Sequence, residues 1–192
     1  MVQEPEFLQE KPKNTDTKSV FTPGTIFLLV GIVVFFSVMG IQLFRQNQTQ
    51  PVEGQRAPDF ELVSYDGETY HLRELAGQIV VVNLWASWCG PCHAEAEDLQ
   101  QIHEDYEANG VIMLGVNWLD IDQEALDFMD FYGITYPNAP DLGEEFHSAY
   151  NIQGPPETFI IGRDGIIRAT FIGGTTYEAI ARVLNDILAE DA

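Results

Sequence analysis

The chain has only two cysteines, separated by two residues in the segment Trp88-Cys89-Gly90-Pro91-Cys92-His93. This segment directly follows Ile79-Val80-Val81-Val82-Asn83-Leu84-Trp85-Ala86, an apolar run typical of a strand that is buried on both faces of a parallel sheet. Pro91 suits the start of a helix, because the first helical position needs no amide hydrogen. The two segments together predict a strand, a turn and a helix, with Cys89 at or near the helix N-cap.

This placement of the cysteines predicts dithiol and disulfide cycling. The helix dipole and the free N–H groups at a helix N-terminus favour thiolate over thiol, so they lower the pKa of Cys89 from the ~8.5 of a free cysteine. Cys92 would lie one turn inside the helix, where it is better shielded. An attacking thiol and a resolving thiol are what exchange through a mixed disulfide requires. Because no other cysteine is present, this pair would be the sole redox couple in an oxidising compartment.

An uncharged segment near the N-terminus predicts a membrane anchor. Residues 26–44 are apolar apart from Ser37 and Gln42 and carry no charge, and about 20 apolar residues in a helix span a ~30 Å hydrocarbon core. Three lysines precede the segment, whereas arginines follow it, so the positive-inside rule leaves the N-terminus in the cytoplasm. A cleaved signal peptide is the alternative, but no small-residue cleavage site follows.

The chain therefore divides into four predicted parts, with the folded part on the extracytoplasmic (periplasmic) side of the cytoplasmic membrane. They are a disordered cytoplasmic tail over residues 1–22, a single-pass transmembrane signal anchor over 23–45, a linker over 46–57 and one domain over 58–192.

The exported part is strongly acidic. Residues 46–192 contain five arginines, no lysine and 26 Asp and Glu residues, a net charge of −21. Such a surface excludes nucleic acid as a partner, because nucleic-acid binding requires Lys and Arg to neutralise phosphates. Solubility is one explanation of the acidity. Attraction to basic partner proteins is the other.

The hydrophobic pattern predicts an α/β domain with a mixed sheet and helices on both faces. Asp66-Gly67 and Asp164-Gly165 supply turn residues for two hairpins. The predicted strands cover residues 60–63, 69–72, 79–86, 111–116, 158–161 and 166–171. The predicted helices cover residues 91–109, 122–132 with Leu126, Met129 and Phe131 at helical spacing, 144–150, and 177–188.

Two segments carry a family resemblance. Residues 82–92, Val-Asn-Leu-Trp-Ala-Ser-Trp-Cys-Gly-Pro-Cys, resemble the active-site segment of the thioredoxin superfamily. Residues 154–161, Gly-Pro-Pro-Glu-Thr-Phe-Ile-Ile, followed by Gly165-Ile166-Ile167, resemble the Gly-x-Pro-Glu-Thr stretch of membrane-anchored TlpA/ResA/DsbE (CcmG) thiol reductases, which have a redoxin or AhpC/TSA-type domain. The resemblance covers residues 55–190 and implies a thioredoxin-like fold with an N-terminal β-hairpin and a central insertion between residues 117 and 156.

The resemblance also implies roles for individual residues. Cys89 would attack the substrate disulfide, Cys92 would resolve the mixed disulfide, and Glu95 and Glu157 would handle protons. Either carboxylate could instead have a structural position, Glu95 in the first helical turn and Glu157 on an exposed strand face. The remaining expected site residues are Gly90 and Pro91 of the motif, Trp88 as an apolar rim, and Pro155 with the cis-proline Pro156 at the substrate.

Asn83 departs from the thioredoxin pattern. Thioredoxin itself has a buried Asp beneath its cysteines, whereas this chain has an amide that cannot take a proton. Proton handling would then depend on other residues of the site.

By the same resemblance, the protein would reduce protein disulfides such as that of apocytochrome c during cytochrome c maturation. A membrane thiol reductant of the CcdA or DsbD type would supply electrons, with no cofactor beyond the Cys89–Cys92 disulfide and no metal. A general exported thiol-disulfide oxidoreductase with other substrates remains open.

A non-catalytic haem-handling or electron-transfer protein also remains open. Cys89-Gly90-Pro91-Cys92-His93 matches the Cys-x-x-Cys-His signature of c-type haem attachment, with His93 as one iron ligand. The candidates for a distal ligand are His71, His103, Met113, Met129 and His147. A zinc site would need two further ligands from the scattered histidines.

Overall fold

The computed structural model describes residues 23–46 and 50–190. Helix α1, Pro23–Gln46, belongs to one unit of the chain, and residues 50–190 belong to a second. Large apolar side chains of α1 between Ile26 and Ile41 are exposed. Among the described residues, no helix has both the length and the apolarity of a membrane span. The predicted tail over residues 1–22 and part of the predicted linker, residues 47–49, lie outside the described residues.

The second unit contains a two-stranded hairpin and a five-stranded mixed sheet. The hairpin and four of the five sheet strands are predicted from the sequence, whereas the short strand Asn138–Pro140 is not. The hairpin strands are β1, Glu61–Val63, and β2, Thr69–His71. The sheet strands are β3, Ile79–Trp85; β4, Val111–Asn117; β5, Asn138–Pro140; β6, Glu157–Ile161; and β7, Ile167–Ile172, in the spatial order β5-β4-β3-β6-β7.

Strand β3 is the centre of the sheet. It pairs in parallel with β4 and antiparallel with β6, and all seven of its residues are buried. The prediction of a strand buried on both faces is confirmed. Because successive side chains alternate between the two faces, β3 supplies apolar side chains to two separate layers of the core.

Helices cover both faces of the sheet. They are α2, Gly90–Tyr106; α3, Asp122–Tyr132; α4, Glu145–Tyr150; and α5, Tyr177–Glu190. The odd-numbered β3 residues Ile79 and Val81 pack with side chains of α2 and α5. The even-numbered Val80, Val82 and Leu84 pack with the hairpin and α4. The end of β3 that leads into α2 therefore lies between two packed layers.

Helix α3 has the predicted bounds but a different buried face. The prediction placed Leu126, Met129 and Phe131 together as its apolar residues, whereas the buried residues are Ala125 and Phe128. Phe128 stacks on Trp85 with ring centroids 4.5 Å apart and an interplanar angle of 25°. Phe131 is 78% exposed. That prediction was wrong because α3 has apolar residues on more than one face, and contact with Trp85 selects which face is buried.

The folded part of the second unit begins before the predicted domain boundary at residue 58. The amide of Gly54 donates to the carbonyl of Ile167 at 2.9 Å, and the amide of Ile167 donates to the carbonyl of Gln55 at 2.9 Å. The amide of Ala57 donates to the carbonyl of Gly165 at 2.9 Å. Residues 54–57 are thus attached to β7 and its turn rather than forming a free linker.

Candidate active site

The two cysteines form a disulfide where β3 leads into α2. The S–S distance is 2.04 Å. Cys89 is the N-cap of α2, and its Sγ accepts a hydrogen bond from the Cys92 amide at 3.2 Å. Pro91 occupies the first turn, which confirms the predicted helix start. Cys89 and Cys92 are 4% and 2% exposed, so in the oxidised protein the two sulfurs differ less in shielding than the sequence predicts.

A chain of hydrogen bonds lies on the α2 face of the sheet and includes Glu95. Asn83 Nδ2 donates to Glu95 Oε1 at 2.9 Å and to Thr158 Oγ1 at 2.9 Å. The amide of Thr175, in the loop after β7, donates to Glu95 Oε2 at 2.8 Å. All three side chains, those of Asn83, Glu95 and Thr158, are buried. The carboxyl group is therefore held between β3, β6, α2 and the loop. It does not lie in the first turn of α2, where the structural alternative placed it.

Burial changes the acidity of Glu95. Removal of the carboxylate from water raises the pKa of Glu95 to about 7, because a low-dielectric environment disfavours the charged form. The hydrogen bonds from Thr175 and Asn83 oppose this shift, and the charge of Asp98 adds to it. A carboxyl group with this pKa, on the helical turn after Cys92, can both accept and donate a proton near neutral pH.

Glu157 lies on the opposite face of the sheet from Glu95. It pairs with Leu84 at the start of β6, and the next residue, Thr158, pairs with Asn83. Because successive strand residues point to opposite faces, Glu157 lies on the face opposite to Asn83 and Glu95. Its Oε1 accepts hydrogen bonds from the amides of Gln153 at 2.7 Å and Gly154 at 3.2 Å, and its Oε2 accepts one from Gln50 Nε2. Glu157 is fully buried. It is not on the exposed strand face of the structural alternative, and its bonds hold the loop that leads into the Pro155–Pro156 bond.

The structure contains the expected cis bond between Pro155 and Pro156. Since Glu157 pairs with Leu84, the bond lies at the same end of the sheet as the disulfide. The carbonyl of Pro156 accepts a hydrogen bond from the Gly173 amide at 2.9 Å. Pro156 is buried and Pro155 is half-buried, so of the two prolines Pro155 is the more accessible to a substrate.

Trp88 is exposed beside the disulfide, as expected for an apolar rim. Trp88 is 55% exposed, and its indole Nε1 donates a hydrogen bond to the carbonyl of Leu119 at 3.0 Å. The Trp88 and Trp118 rings lie 6.3 Å apart, and Trp118 stacks on His147 at 4.9 Å. Trp85 is buried, in agreement with the prediction that its strand is buried on both faces.

Ser87 and Asp120 also belong to the site, although neither is among the site residues predicted from the sequence. Asp120 Oδ2 accepts from the Ser87 amide at 2.6 Å, and Asp120 Oδ1 accepts from the Ser87 hydroxyl at 2.7 Å. Asn117 Nδ2 also donates to Asp120 Oδ2, at 2.9 Å. These bonds lower the pKa of Asp120 despite its partial burial. They attach the loop that precedes Cys89 to the loop after β4. The sequence does contain a signal for this contact. Ser87 and Asp120 follow two neighbouring parallel strands, β3 and β4, and such strands end at the same edge of a sheet.

His93 is held on both sides of its ring. Nε2 lies 2.7 Å from the Ser87 carbonyl, and Nδ1 lies 2.9 Å from the Tyr132 hydroxyl. Because a carbonyl only accepts hydrogen bonds, Nε2 carries the hydrogen. With both sulfurs bonded to each other, these contacts favour disulfide exchange over the haem alternative. Among residues 23–46 and 50–190, no three His, Cys, Asp or Glu side chains are grouped as metal ligands.

Comparisons with known proteins agree with this geometry. The model of the AhpC/TSA family matches residues 53–170. The chain is 33% identical to the thiol-disulfide oxidoreductase ResA of Oceanobacillus iheyensis, over 92% of this chain and 93% of that protein. It is 32% identical to the thiol:disulfide interchange protein DsbE of Allochromatium vinosum, over 92% and 96%. A thioredoxin family thiol:disulfide interchange protein from Chlorobium tepidum has a similar fold, with a TM-score of 0.64, 25% identity, and 73% and 99% of the two chains covered.

Proposed function

Because the chain belongs to the AhpC/TSA family and is a thiol-disulfide oxidoreductase of the ResA/DsbE type with a thioredoxin-like fold, we propose that it reduces disulfides of exported proteins during cytochrome c maturation. Apocytochrome c is the proposed substrate, and the Cys89–Cys92 pair is the only redox group required. The observation that carries this proposal is the disulfide at the N-terminus of α2 with the buried Glu95, whose pKa is raised by burial to about 7, one turn further along.

The reduced protein starts the proposed cycle with two thiols. The Cys89 thiolate attacks one sulfur of the substrate disulfide, the substrate S–S bond breaks, and the first substrate sulfur leaves as a thiolate. Cys92 then passes its proton to the Glu95 carboxylate and attacks Cys89 Sγ, which releases the second substrate sulfur. Two electrons have moved to the substrate, and the protein is left with the disulfide seen in the structure.

The remaining site residues would position these steps. Pro155, the more accessible of the two prolines, offers its carbonyl to an extended substrate, and Trp88 offers an exposed ring beside Cys89. Glu157 would support the substrate loop through its bonds to the amides of Gln153 and Gly154. Its proposed effect on proton transfer is then indirect, in contrast to that of Glu95.

We also propose that the domain lies outside the cytoplasmic membrane with residues 23–45 as its anchor, although no helix within residues 23–46 and 50–190 combines the length and apolarity of a membrane span. The uncharged residues 26–44 and the exposed apolar side chains of α1 support this location. A membrane thiol reductant of the CcdA or DsbD type would then regenerate the dithiol, because an oxidising compartment does not itself reduce the pair. Sedimentation of the full chain with membranes after alkaline carbonate washing tests the anchor.

A trapping experiment tests the substrate. In a Cys92→Ala variant the mixed disulfide cannot be resolved, so we expect Cys89 to accumulate disulfide-linked exported proteins that contain apocytochrome c. The matched control is the Cys89→Ala, Cys92→Ala double variant, which should trap nothing. The direction of electron flow is measured separately, and a reduction potential below about −200 mV is expected for a reductant in such a compartment.

Two outcomes would contradict the proposal in different ways. Trapped proteins without apocytochrome c would reject the substrate and leave a general exported oxidoreductase. A potential well above about −200 mV would reject the reducing direction, because the pair would then oxidise its partners.

A further inference from the structure

The segment of the chain that contains both cysteines is acidic. Between Arg73 and Arg163 the sequence contains sixteen Asp and Glu residues and no Lys or Arg. Arg56, Arg73 and Arg163 instead line a cavity of about 310 Å³ beside Val80 and Ile161, at the end of the sheet opposite the disulfide. A substrate that approaches Cys89 therefore meets a negative potential, which favours basic polypeptides.

A groove of about 490 Å³ adjoins the loop that carries Cys89. We call it the α3 groove. Ser87 lies two residues before Cys89, and His93 directly follows Cys92, so one wall of the groove continues into the disulfide region. The groove residues are Ser87, His93, Glu124, Asp127, Phe128, Phe131 and Tyr132.

Aromatic rings form the floor of the α3 groove. The rings of His93 and Phe128 lie 4.9 Å apart, those of Phe128 and Tyr132 lie 4.8 Å apart, and those of Phe131 and Tyr132 lie 4.8 Å apart. Phe131 is 78% exposed, the largest exposure of any large apolar residue in the second unit that the structure describes. The face of an aromatic ring attracts a cation as well as an apolar stem.

Two carboxylates stand beside these rings. Glu124 and Asp127 are both exposed and lie one helical turn apart on α3. In the described part of the chain the ion pairs involve Glu61, Asp59 and Asp164, so neither groove carboxylate is paired with a described base. Asp127 Oδ1 accepts a hydrogen bond from the neutral Gln123 amide at 2.7 Å, so neither carboxylate has its charge balanced by a cation. Aromatic faces next to such carboxylates are suited to a long cationic side chain, whose stem packs on the rings while its charge meets the carboxylates.

We propose that the α3 groove is a subsite for a Lys or Arg side chain that lies close in sequence to the substrate disulfide. This inference rests on the proposed function and narrows its substrates to polypeptides with a basic residue beside the reacting cysteines. Attraction by the acidic residues between Arg73 and Arg163 would bring such a polypeptide near Cys89, and the groove would then fix its register. The apolar floor alone would also accept a Leu or Phe side chain, so charge is the property to test.

The test compares disulfide peptides that differ at one residue beside a cysteine, with Arg, Leu or Glu at that position. We expect kcat/KM for reduction by the full chain at about 0.15 M salt, where long-range attraction is partly screened, to be at least tenfold higher for Arg than for Leu, and lowest for Glu. The Glu124→Gln, Asp127→Asn double variant should reduce this Arg-to-Leu ratio to below three. Phe131→Ala should also lower the ratio.

A matched double variant separates the groove from the overall charge. Glu144→Gln, Glu145→Gln removes the same two charges from exposed positions outside the α3 groove, and it should keep the Arg-to-Leu ratio of the unmodified protein. An equal loss of the ratio in both double variants would overturn the subsite in favour of non-specific attraction. A preference for Leu over Arg in the unmodified protein would overturn it in favour of an apolar site.

Binding is measured in parallel with peptides whose cysteines are replaced by serine. We expect the Arg peptide to have a lower Kd than the Leu peptide, because the subsite does not depend on electron transfer. The two double variants should change this difference in Kd as they change the kcat/KM ratio. If no peptide is reduced but the Arg peptide still binds more tightly than the Leu peptide, the result would contradict the proposed function and support the subsite. Equal Kd values for all three peptides would overturn the subsite even if every disulfide is reduced.

Discussion

Replacement of Glu95 by Gln should remove a pH-dependent loss of stability. Glu95 is 1% exposed, and burial raises its pKa from an ordinary 4.5 to about 7. The folded protein therefore keeps a proton that the unfolded chain releases near pH 4.5. Gln has nearly the same shape but cannot ionise. Its carbonyl can accept from the Thr175 amide and its NH₂ can donate to Asn83, if the Asn83 amide rotates.

The sign of the effect follows from proton binding. Between pH 4.5 and 7 the folded state binds more protons than the unfolded state at this position, so stability falls as pH rises. The contribution of Glu95 is fully present below pH 4.5 and is lost as pH rises through about 7. At about 1.4 kcal/mol per pKa unit, the shift corresponds to a loss of about 3 kcal/mol by pH 8.5.

The measurement is urea unfolding of the oxidised protein at a series of pH values from 4.5 to 8.5. We expect the stability of Glu95→Gln relative to the unmodified protein to rise by about 3 kcal/mol over this range. All other ionisable groups are the same in the two proteins, so their contributions cancel in the difference. Glu97→Gln, which removes an exposed carboxylate from the same helix, is the control for the loss of one negative charge.

Parallel stability curves for Glu95→Gln and the unmodified protein would refute this reasoning. They would mean that the hydrogen bonds from Asn83 and Thr175 keep Glu95 ionised in the fold despite its burial. Glu95 could then not supply a proton to the dithiol reaction near neutral pH, and the proton step of the proposed cycle would need another group.

Two further substitutions test contacts that hold the site together. A Cβ at Gly115 would lie 1.7 Å from Asn138 Oδ1 and 2.9 Å from Trp85 Nε1, so Gly115→Ala should destabilise the fold by about 1–3 kcal/mol through overpacking, and an unchanged urea midpoint would contradict this contact. Asp120→Asn replaces one acceptor oxygen by an NH₂ donor, at a position where Ser87 and two other groups already donate. The substitution should lower the free energy of unfolding by about 1–3 kcal/mol at pH 7. A stability equal to that of the unmodified protein would show that the Ser87 bonds contribute nothing.

Local signals in the sequence predicted the secondary structure elements that carry the site. Pro91 marked the start of α2, and the apolar run before Trp88 marked the buried strand β3. Asp66-Gly67 marked the turn of the first hairpin. Each of these signals depends on a few adjacent residues, and each acts through the backbone conformation or the burial of its own segment, so tertiary contacts were not needed to interpret it.

Features that depend on distant segments were not predicted. Strand β5, Asn138–Pro140, is short and contains a proline, and it forms because the edge of β4 offers it a partner. The buried face of α3 depends on Trp85, 43 positions before Phe128 in the sequence. The hydrogen bonds between Ser87 and Asp120 join two loops, and the spacing of apolar residues does not predict contacts between loops. In each case the deciding contact joins segments that are remote in the chain.

The hydrogen-bonded chain through Asn83 bears on how this site can evolve. Its amide donates to Glu95, 12 positions away, and to Thr158, 75 positions away. Loss of any one of the three side chains would leave a buried polar partner unpaired. Asn83→Asp would place two buried carboxylates side by side, which disfavours ionisation of both. Positions 83, 95 and 158 should therefore be inherited as a unit, and a lineage that acquires Asp at 83 should lose Glu at 95 at nearly the same time.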